Sequence, residues 1–144
     1  MEKLRTRFNG GTGPLPAELV DRAESIQREL LSSMGPVVLL HGDLHLDNIL
    51  QAQRAPWIAI DPQGVAGEAE YEAGALLRTP PEGANRELAL RKRLDQLADE
   101  FAFSRERLRL WGFAQAVLAA WWGLEDHGSV WEGAIECAEV LARV

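Results

Sequence analysis

Hydrophobic residues recur every three or four positions through much of this chain, with charged residues between them. This spacing predicts amphipathic helices over 17–34, 85–102 and 130–144. Another long helix is expected after Ser104, which can cap it, and its apolar face is too broad for a solvated surface helix. That helix should therefore lie at the centre of the core, with Trp121 packed inside.

Short apolar runs lie between the first two of these helices and predict extended structure. Residues 37–40, 49–50 and 57–60 have the length and the β-branched or apolar composition of short strands. A turn over 51–56 would join the last two runs into a hairpin. We expect the strands to bring the two loops that follow them close together.

Two further signals mark the ends of helices. A short helix near 71–77 is expected to stop at Pro80, because proline cannot continue a helix. Ser129, with Glu132 three residues later, has the capping-box pattern that opens a helix. Together, the predicted helices and short strands indicate one α+β domain, 1–144, that is predominantly helical.

The charge of the chain narrows its range of partners. With 22 acidic and 15 basic residues the net charge is -7, which disfavours nucleic acid or an anionic membrane and favours a cationic small molecule. Hydrophobic residues make up 47% of the chain, as in a folded soluble protein. The sequence contains no run of about 18 apolar residues, which is the length needed to cross a bilayer. A single cysteine, Cys137, and a charged N-terminal segment make the cytoplasm the expected compartment.

Three residues with oxygen-bearing side chains follow the predicted strands: Asp43, Asn48 and Asp61. Mg2+ prefers hard oxygen ligands and commonly takes one or two from the protein, with nucleotide phosphates supplying others. Asn48 and Asp61 fit that requirement, and Asp43 could accept the proton of a substrate hydroxyl during phosphoryl transfer. Alone, each would be interpreted as a turn cap, a role that Asp and Asn often have.

The spacing of these residues favours the chemical interpretation over three separate turn caps. Asp43 and Asn48 have the D-L-x-x-x-N spacing of protein-kinase catalytic loops, and Asp61 follows one hairpin later. The longer segment H-G-D-L-H-x-x-N-I-L resembles the signature of the aminoglycoside phosphotransferases. Segments 60–67 and 71–80 further resemble the branch that contains streptomycin 6-phosphotransferases and hydroxyurea-resistance kinases.

This resemblance covers most of the chain from about Leu4 and implies a protein-kinase-like C-terminal lobe, whose small β-hairpin carries the catalytic and metal loops. It implies transfer of the γ-phosphate of ATP to a hydroxyl of an aminoglycoside such as streptomycin, with Mg2+ as cofactor. In the family pattern Asp43 is the catalytic residue and His41 braces the catalytic loop. Asn48 and Asp61 bind the metal.

The chain departs from the family pattern in several places. Gly42 stands where protein kinases have Arg, and Gln63 and Glu72 stand where the streptomycin branch commonly has Lys and Asp. Kinases of this fold also bind the nucleotide with a Gly-rich loop and a strand lysine from an N-terminal lobe. The only lysines here are Lys3 and Lys92, so we expect the nucleotide lobe to be absent. A second copy of the chain, in a homodimer, could then fill the uncovered lobe interface.

Candidate substrate residues lie where the last two predicted helices meet. The carboxylates of Glu125 and Asp126 suit a polycationic aminoglycoside, and Trp122 could stack on a sugar ring. Glu132 and Glu136 are further candidates in the same region. For each carboxylate taken singly, a solvated acidic helix face is the simpler interpretation.

Two other functions are compatible with the sequence. The same loop pattern occurs in kinases of choline, homoserine and sugars, so the acceptor could be another small hydroxyl compound. The missing Gly-rich loop and strand lysine also fit a catalytically incomplete binding lobe or a truncated gene product. A zinc site is not expected, because His41 and His45 lie in a predicted loop between strands and not on a helix, where zinc hydrolases carry the H-E-x-x-H motif.

Overall fold

The described residues, 1–83 and 85–144 of a computed structural model, form six α-helices and four short strands. In chain order they are α1 Glu2–Arg7, α2 Ala17–Ser32, β1 Val38–Leu40, β2 Ile49–Gln51, β3 Trp57–Ala59, β4 Val65–Gly67, α3 Ala69–Gly74, α4 Arg86–Phe101, α5 Arg105–His127 and α6 Glu132–Arg143. Single 3-10 turns at Leu46–Asn48 and Ala75–Leu77 lie before β2 and after α3.

The predicted central helix is α5. It packs against α2, α3, α4 and α6, and its Trp111, Phe113 and Trp121 side chains are each no more than 2% exposed. The hydroxyl of Ser104 accepts a hydrogen bond from the N–H of Arg107 at 3.3 Å, which confirms the predicted cap. Since burying one large apolar side chain contributes roughly 1.5–3 kcal/mol, α5 supplies much of the stability of the fold.

Two other long helices confirm the predicted periodicity. α2 ends at Ser32, two residues earlier than expected, where the N–H of Ser33 bonds to the carbonyl of Glu29. α4 begins after Asn85, whose side chain accepts a hydrogen bond from the N–H of Leu88 at 3.0 Å. The apolar spacing therefore located both helices to within two residues.

The predicted capping box at the start of the last helix is wrong. α6 begins at Glu132, with Trp131 at the capping position and no side-chain hydrogen bond to the first turn, so Ser129 does not cap it. A Cβ added to Gly123 of α5 would lie 3.0 Å from both the backbone N and the Cβ of Trp131. We attribute the later start of α6 to this close packing of α5 against Trp131, which the local Ser-x-x-Glu pattern does not include.

The strands form two antiparallel pairs. β2 and β3 make the predicted hairpin, with Ile49 opposite Ala59. β1 pairs with β4, and Leu40 lies opposite Val65. The sequence does not predict β4, because three residues carry no alternating pattern of their own.

The described residues thus form a mostly helical α+β fold with small antiparallel sheets, as the sequence predicts. Within the same residues, every helix is too short or too polar to traverse a lipid bilayer.

A buried carboxylate joins the end of α2 to β4 and α5. Glu68 is 1% exposed and accepts hydrogen bonds from Arg107 Nε at 2.6 Å, from Gly35 N at 2.8 Å and from Trp111 Nε1. Arg107 also donates to the carbonyl of Leu30 at 3.0 Å. Burial alone would raise the pKa of Glu68, but these donors hold the pKa below its usual value. The network fastens β4, and with it the β1–β4 pair, to the helical core.

Candidate active site

Hydrogen bonds hold the loop after β1 against the loop after β3. The N–H of Ile60 donates to the carbonyl of Asn48 at 3.0 Å, which extends the β2–β3 hairpin. His41 Nε2 donates to the carbonyl of Ile60 at 2.7 Å, and His41 Nδ1 accepts from the N–H of Asp43 at 3.3 Å. The strands therefore bring the two loops together as predicted, and His41 touches both.

Gly42 lets the backbone of the first loop pass close to β4. Its φ of 87° lies in the left-handed region, and a Cβ at this position would be 2.6 Å from Cγ2 of Val65. The N–H of Gly42 donates to both carboxylate oxygens of Glu72, at 3.1 and 3.2 Å. Glu72 on α3 thus supports the loop from the helical side.

Asp43 is tied to a nearly buried arginine. Arg78 Nη2 lies 2.5 Å from Asp43 Oδ1, and the Arg78 side chain is 7% exposed against 31% for Asp43. The other oxygen, Asp43 Oδ2, lies 3.6 Å from His45 Nε2. Arg78 also stacks on Trp122, with 5.2 Å between the guanidinium carbon and the ring centroid. One carboxylate oxygen is therefore fixed by Arg78, while the other has only the longer contact with His45.

Asn48 and Asp61 lie in the two adjacent loops. Asn48 Nδ2 donates to the carbonyl of Asp43 at 2.9 Å, which leaves its amide oxygen as an acceptor. Asp61 is exposed and has a left-handed φ of 61°, a conformation that costs energy for a residue with a Cβ. These two oxygens are of the kind that Mg2+ binds, so the residues fit the ion. Among the described residues no group of three or more His, Cys, Asp or Glu is placed to hold a metal ion.

A cavity of about 490 Å3 opens beside Asp43. It is lined by Gly42, Asp43, Gln63, Tyr71, Arg78, Trp122, Glu125 and Asp126. The structure therefore brings the three substrate candidates on α5 into one space with Asp43, whereas the two candidate metal residues are not in this lining. Glu132 and Glu136 lie elsewhere, exposed on α6, and Glu136 pairs with Arg86 at 2.9 Å.

Four residues of this cavity, Gly42, Gln63, Tyr71 and Arg78, are not among the candidates found from the sequence. Arg78 is the only basic residue in the segment 71–80, and this isolated charge could have marked it as a candidate. Nothing in the neighbouring sequence indicates that its side chain reaches Asp43. Tyr71 belongs to the same segment. Burial raises the pKa of Tyr71 although the charge of Arg78 opposes the shift, so its hydroxyl stays protonated at neutral pH.

Comparison with known proteins identifies the family. Residues 3–127 match the family described as aminoglycoside/hydroxyurea antibiotic resistance kinase. The chain belongs to this family. The resemblance drawn from the loop motif is thereby confirmed.

Curated relatives differ in the acceptor that their names give. Over 133 residues the chain is 31% identical to streptomycin 6-kinase of Streptomyces glaucescens, covering 89% of this chain and 43% of that protein. Over 110 residues it is 36% identical to streptomycin 3''-kinase of Klebsiella pneumoniae, covering 72% and 41%. Over 104 residues it is 38% identical to hydroxyurea phosphotransferase of Kitasatospora aureofaciens, covering 72% and 29%. The chain thus spans less than half the length of these relatives, and no solved structure matches it.

Proposed function

We propose that this chain supplies the acceptor site and the catalytic loop of a phosphotransferase that moves the γ-phosphate of ATP to a hydroxyl of an aminoglycoside, with streptomycin as the first candidate. The observation that carries the proposal is the shared cavity, in which Asp43 faces the same space as Trp122 and the carboxylates of Glu125 and Asp126. Family membership supports ATP as the donor, and the names of two relatives support streptomycin.

The walls of the cavity suit a cationic ring compound. Glu125 and Asp126 are exposed carboxylates at the end of α5. Streptomycin carries guanidinium groups, which pair with carboxylates through charge-assisted hydrogen bonds. Trp122 offers a flat face to a sugar ring, and the net charge of -7 adds long-range attraction for a cation.

In the proposed reaction Asp43 orients the acceptor hydroxyl and takes its proton. The hydroxyl oxygen forms a bond to the γ-phosphorus, the bond from that phosphorus to the ADP oxygen breaks, and the proton passes to Asp43 Oδ2. Arg78 keeps Oδ1 in place, so the carboxylate cannot turn away from the acceptor. Positioned general bases typically contribute a factor of about 10²–10⁴ to the rate.

The metal would be held by Asn48 and Asp61. When bound with nucleotide phosphates, Mg2+ would neutralise the charge that develops on them. The hydrogen bond from Asn48 to the carbonyl of Asp43 links the metal residues to the base. His41, which touches both loops, would keep that relationship fixed.

In this proposed function, residues 1–144 form a C-terminal catalytic lobe, and a nucleotide-binding lobe completes the active site. Support comes from apolar side chains of the strands that are exposed: Leu39 on β1 is 83% exposed and Trp57 on β3 is 64% exposed. Apolar surface of this kind usually meets a partner. A second copy of the chain is the alternative occupant, and light scattering distinguishes a dimer from a monomer.

Calorimetric titration of the 144-residue chain with streptomycin tests the acceptor half of the proposal. We expect binding that weakens about tenfold in Glu125→Gln or Asp126→Asn, because each loses one charge-assisted contact. Glu132→Gln, on α6 and outside the cavity, is the matched control and should bind normally. If all three variants bind alike, the cavity is not the acceptor site.

The catalytic half needs a nucleotide lobe, so the chain is joined to the N-terminal part of a streptomycin 6-kinase and assayed with labelled ATP. Asp43→Asn should abolish transfer while streptomycin still binds. Undiminished transfer by this variant would exclude Asp43 as the base. A joined protein that binds ATP and streptomycin without transfer would favour a binding lobe, and transfer only to other hydroxyl compounds would favour a different acceptor.

A further inference from the structure

A second cavity, of about 460 Å3, adjoins the first at the end of α5. It is lined by His45, Arg78, Ala119, Trp122, Gly123, Asp126, His127 and Trp131. Arg78, Trp122 and Asp126 line both cavities. The two spaces therefore meet at these shared residues, with Asp43 on one side and Trp131 on the other.

Trp131 distinguishes the second cavity from the first. Its side chain is 39% exposed, whereas Trp111 and Trp121 on α5 are each 2% exposed. Two glycines allow the backbone to pass close to Trp131. A Cβ added to Gly123 would lie 3.0 Å from Trp131 Cβ, and a Cβ added to Gly133 would lie 3.1 Å from Trp131 Nε1. An indole held in this way stacks on a ligand with little loss of conformational entropy.

The simpler interpretation is that Trp131 only fills the space between α5 and α6. Against this, Trp131 is 39% exposed and lines the cavity, so packing between the helices does not use the whole ring. Polar groups also reach the cavity from three parts of the chain: Asp126 and His127 from α5, His45 from the loop after β1, and Arg78, whose charge is paired with Asp43. An aromatic wall with a few polar groups is the usual composition of a small-molecule site.

We propose that the second cavity binds a further ring of a multi-ring cationic acceptor, while the ring that bears the reacting hydroxyl occupies the first cavity. This inference rests on the proposed function. The further ring stacks on Trp131, and Asp126, which lines both cavities, serves charged groups of both rings. Trp122 lies between the two rings, and each cavity falls within the range of about 300–1,000 Å3 that is typical of small-molecule pockets.

Calorimetric titration of the 144-residue chain with streptomycin separates the two cavities. Trp131→Leu removes the aromatic face but keeps bulk beside Gly123, and should weaken binding about tenfold. Trp131→Phe restores an aromatic ring and should bind within about threefold of the unaltered chain. Trp57→Leu is the matched control, because Trp57 is an exposed tryptophan on β3 outside both cavities.

A single-ring probe supplies a second readout. Streptidine, the cyclitol ring of streptomycin with its guanidinium groups, can fill only one cavity, so it should bind more weakly than streptomycin. The affinity for streptidine should fall in only one of the two variants Glu125→Gln and Trp131→Leu, namely the one that alters the cavity which streptidine fills. Streptomycin, which reaches both cavities, should respond to both variants.

The outcomes distinguish this inference from the proposed function. Equal streptomycin affinities in Trp131→Leu and Trp131→Phe, or streptidine binding as tight as streptomycin, would overturn the second-ring site. If Glu125→Gln still weakens streptomycin binding in that case, the proposed function survives. If the unaltered chain binds no streptomycin, both fail. Should Trp131→Leu not fold, the comparison of the two ligands on the unaltered chain decides.

Discussion

Arg78 and Asp43 are 35 positions apart in the sequence, yet Nη2 of the arginine lies 2.5 Å from Oδ1 of the aspartate. Trp122 holds the arginine from another side, so the guanidinium lies against both an aromatic face and a carboxylate. This arrangement fixes the orientation of Asp43 and ties the loop after β1 to the segment after α3. It also makes Arg78, which is nearly buried, dependent on Asp43 as its counterion.

Arg78→Met should lower the free energy of unfolding by about 1–3 kcal/mol, because Asp43 loses a charge-assisted hydrogen bond and Trp122 loses its stacking cation. Arg86→Met is the matched control, since the Arg86–Glu136 pair is more than half exposed on both sides and such pairs contribute about 0–1 kcal/mol. Urea denaturation measures both losses. Equal losses would mean that the Arg78–Asp43 pair contributes no more than a surface ion pair.

Acid should destabilise the fold through Glu68. Burial by itself would raise the pKa of this carboxyl, yet hydrogen bonds from Arg107, Gly35 and Trp111 hold it below its unfolded value. The ionised carboxylate therefore stabilises the fold at neutral pH, and this stabilisation is lost as the pH falls below the unfolded pKa and through the folded pKa. The melting temperature of the unaltered chain should fall over that window. Glu68→Gln should already be less stable at neutral pH and respond less to acid.

Glu87→Gln is the control for this pH dependence. Glu87 pairs with Arg91 on an exposed helix face, so its loss should leave the curve of melting temperature against pH nearly unchanged. Removing one partner of a buried ion pair typically costs about 3–5 kcal/mol, well above the effect expected for Glu87. Parallel curves for Glu68→Gln and the unaltered chain would contradict the role given to Glu68.

Gly42→Ala should destabilise the loop after β1 more than Gly64→Ala does. Both glycines have left-handed φ values, 87° and 66°, so alanine at either position costs roughly 1–2 kcal/mol in the backbone. Only at Gly42 would the new Cβ meet Val65, at 2.6 Å, whereas nothing lies within 4 Å of the new Cβ at Gly64. Thermal unfolding compares the pair, and Gly42→Ala should also weaken streptomycin binding. Similar losses would show that the loop shifts freely away from β4.

Periodicity and the loop motif predicted much of this molecule because both are local properties of the sequence. α2, α4 and α5 each bury a face whose residues recur every three or four positions. The D-L-x-x-x-N segment singled out Asp43 and Asn48 by its spacing, and the structure joins them by a hydrogen bond from Asn48 Nδ2 to the Asp43 carbonyl. The carboxylates at the end of α5 were found from charge and position, and they line the cavity of Asp43.

The features that the sequence did not predict depend on contacts between distant residues. Arg78 reaches Asp43 only because the chain folds back after α3. β4 exists through its pairing with β1 and has no pattern of its own. α6 begins at Glu132 because Trp131 lies close to Gly123, and a local capping box cannot compete with that packing.

Each sheet in the described part of the chain has only two strands, so every strand has an outer edge without a neighbouring strand. On β1 this edge adjoins the exposed side chains of Val38 and Leu39. Free backbone N–H and C=O groups beside apolar side chains are a template for strand addition. A strand of another chain can therefore add beside β1, and Leu39→Lys should weaken such pairing, because lysine on an edge strand keeps copies apart.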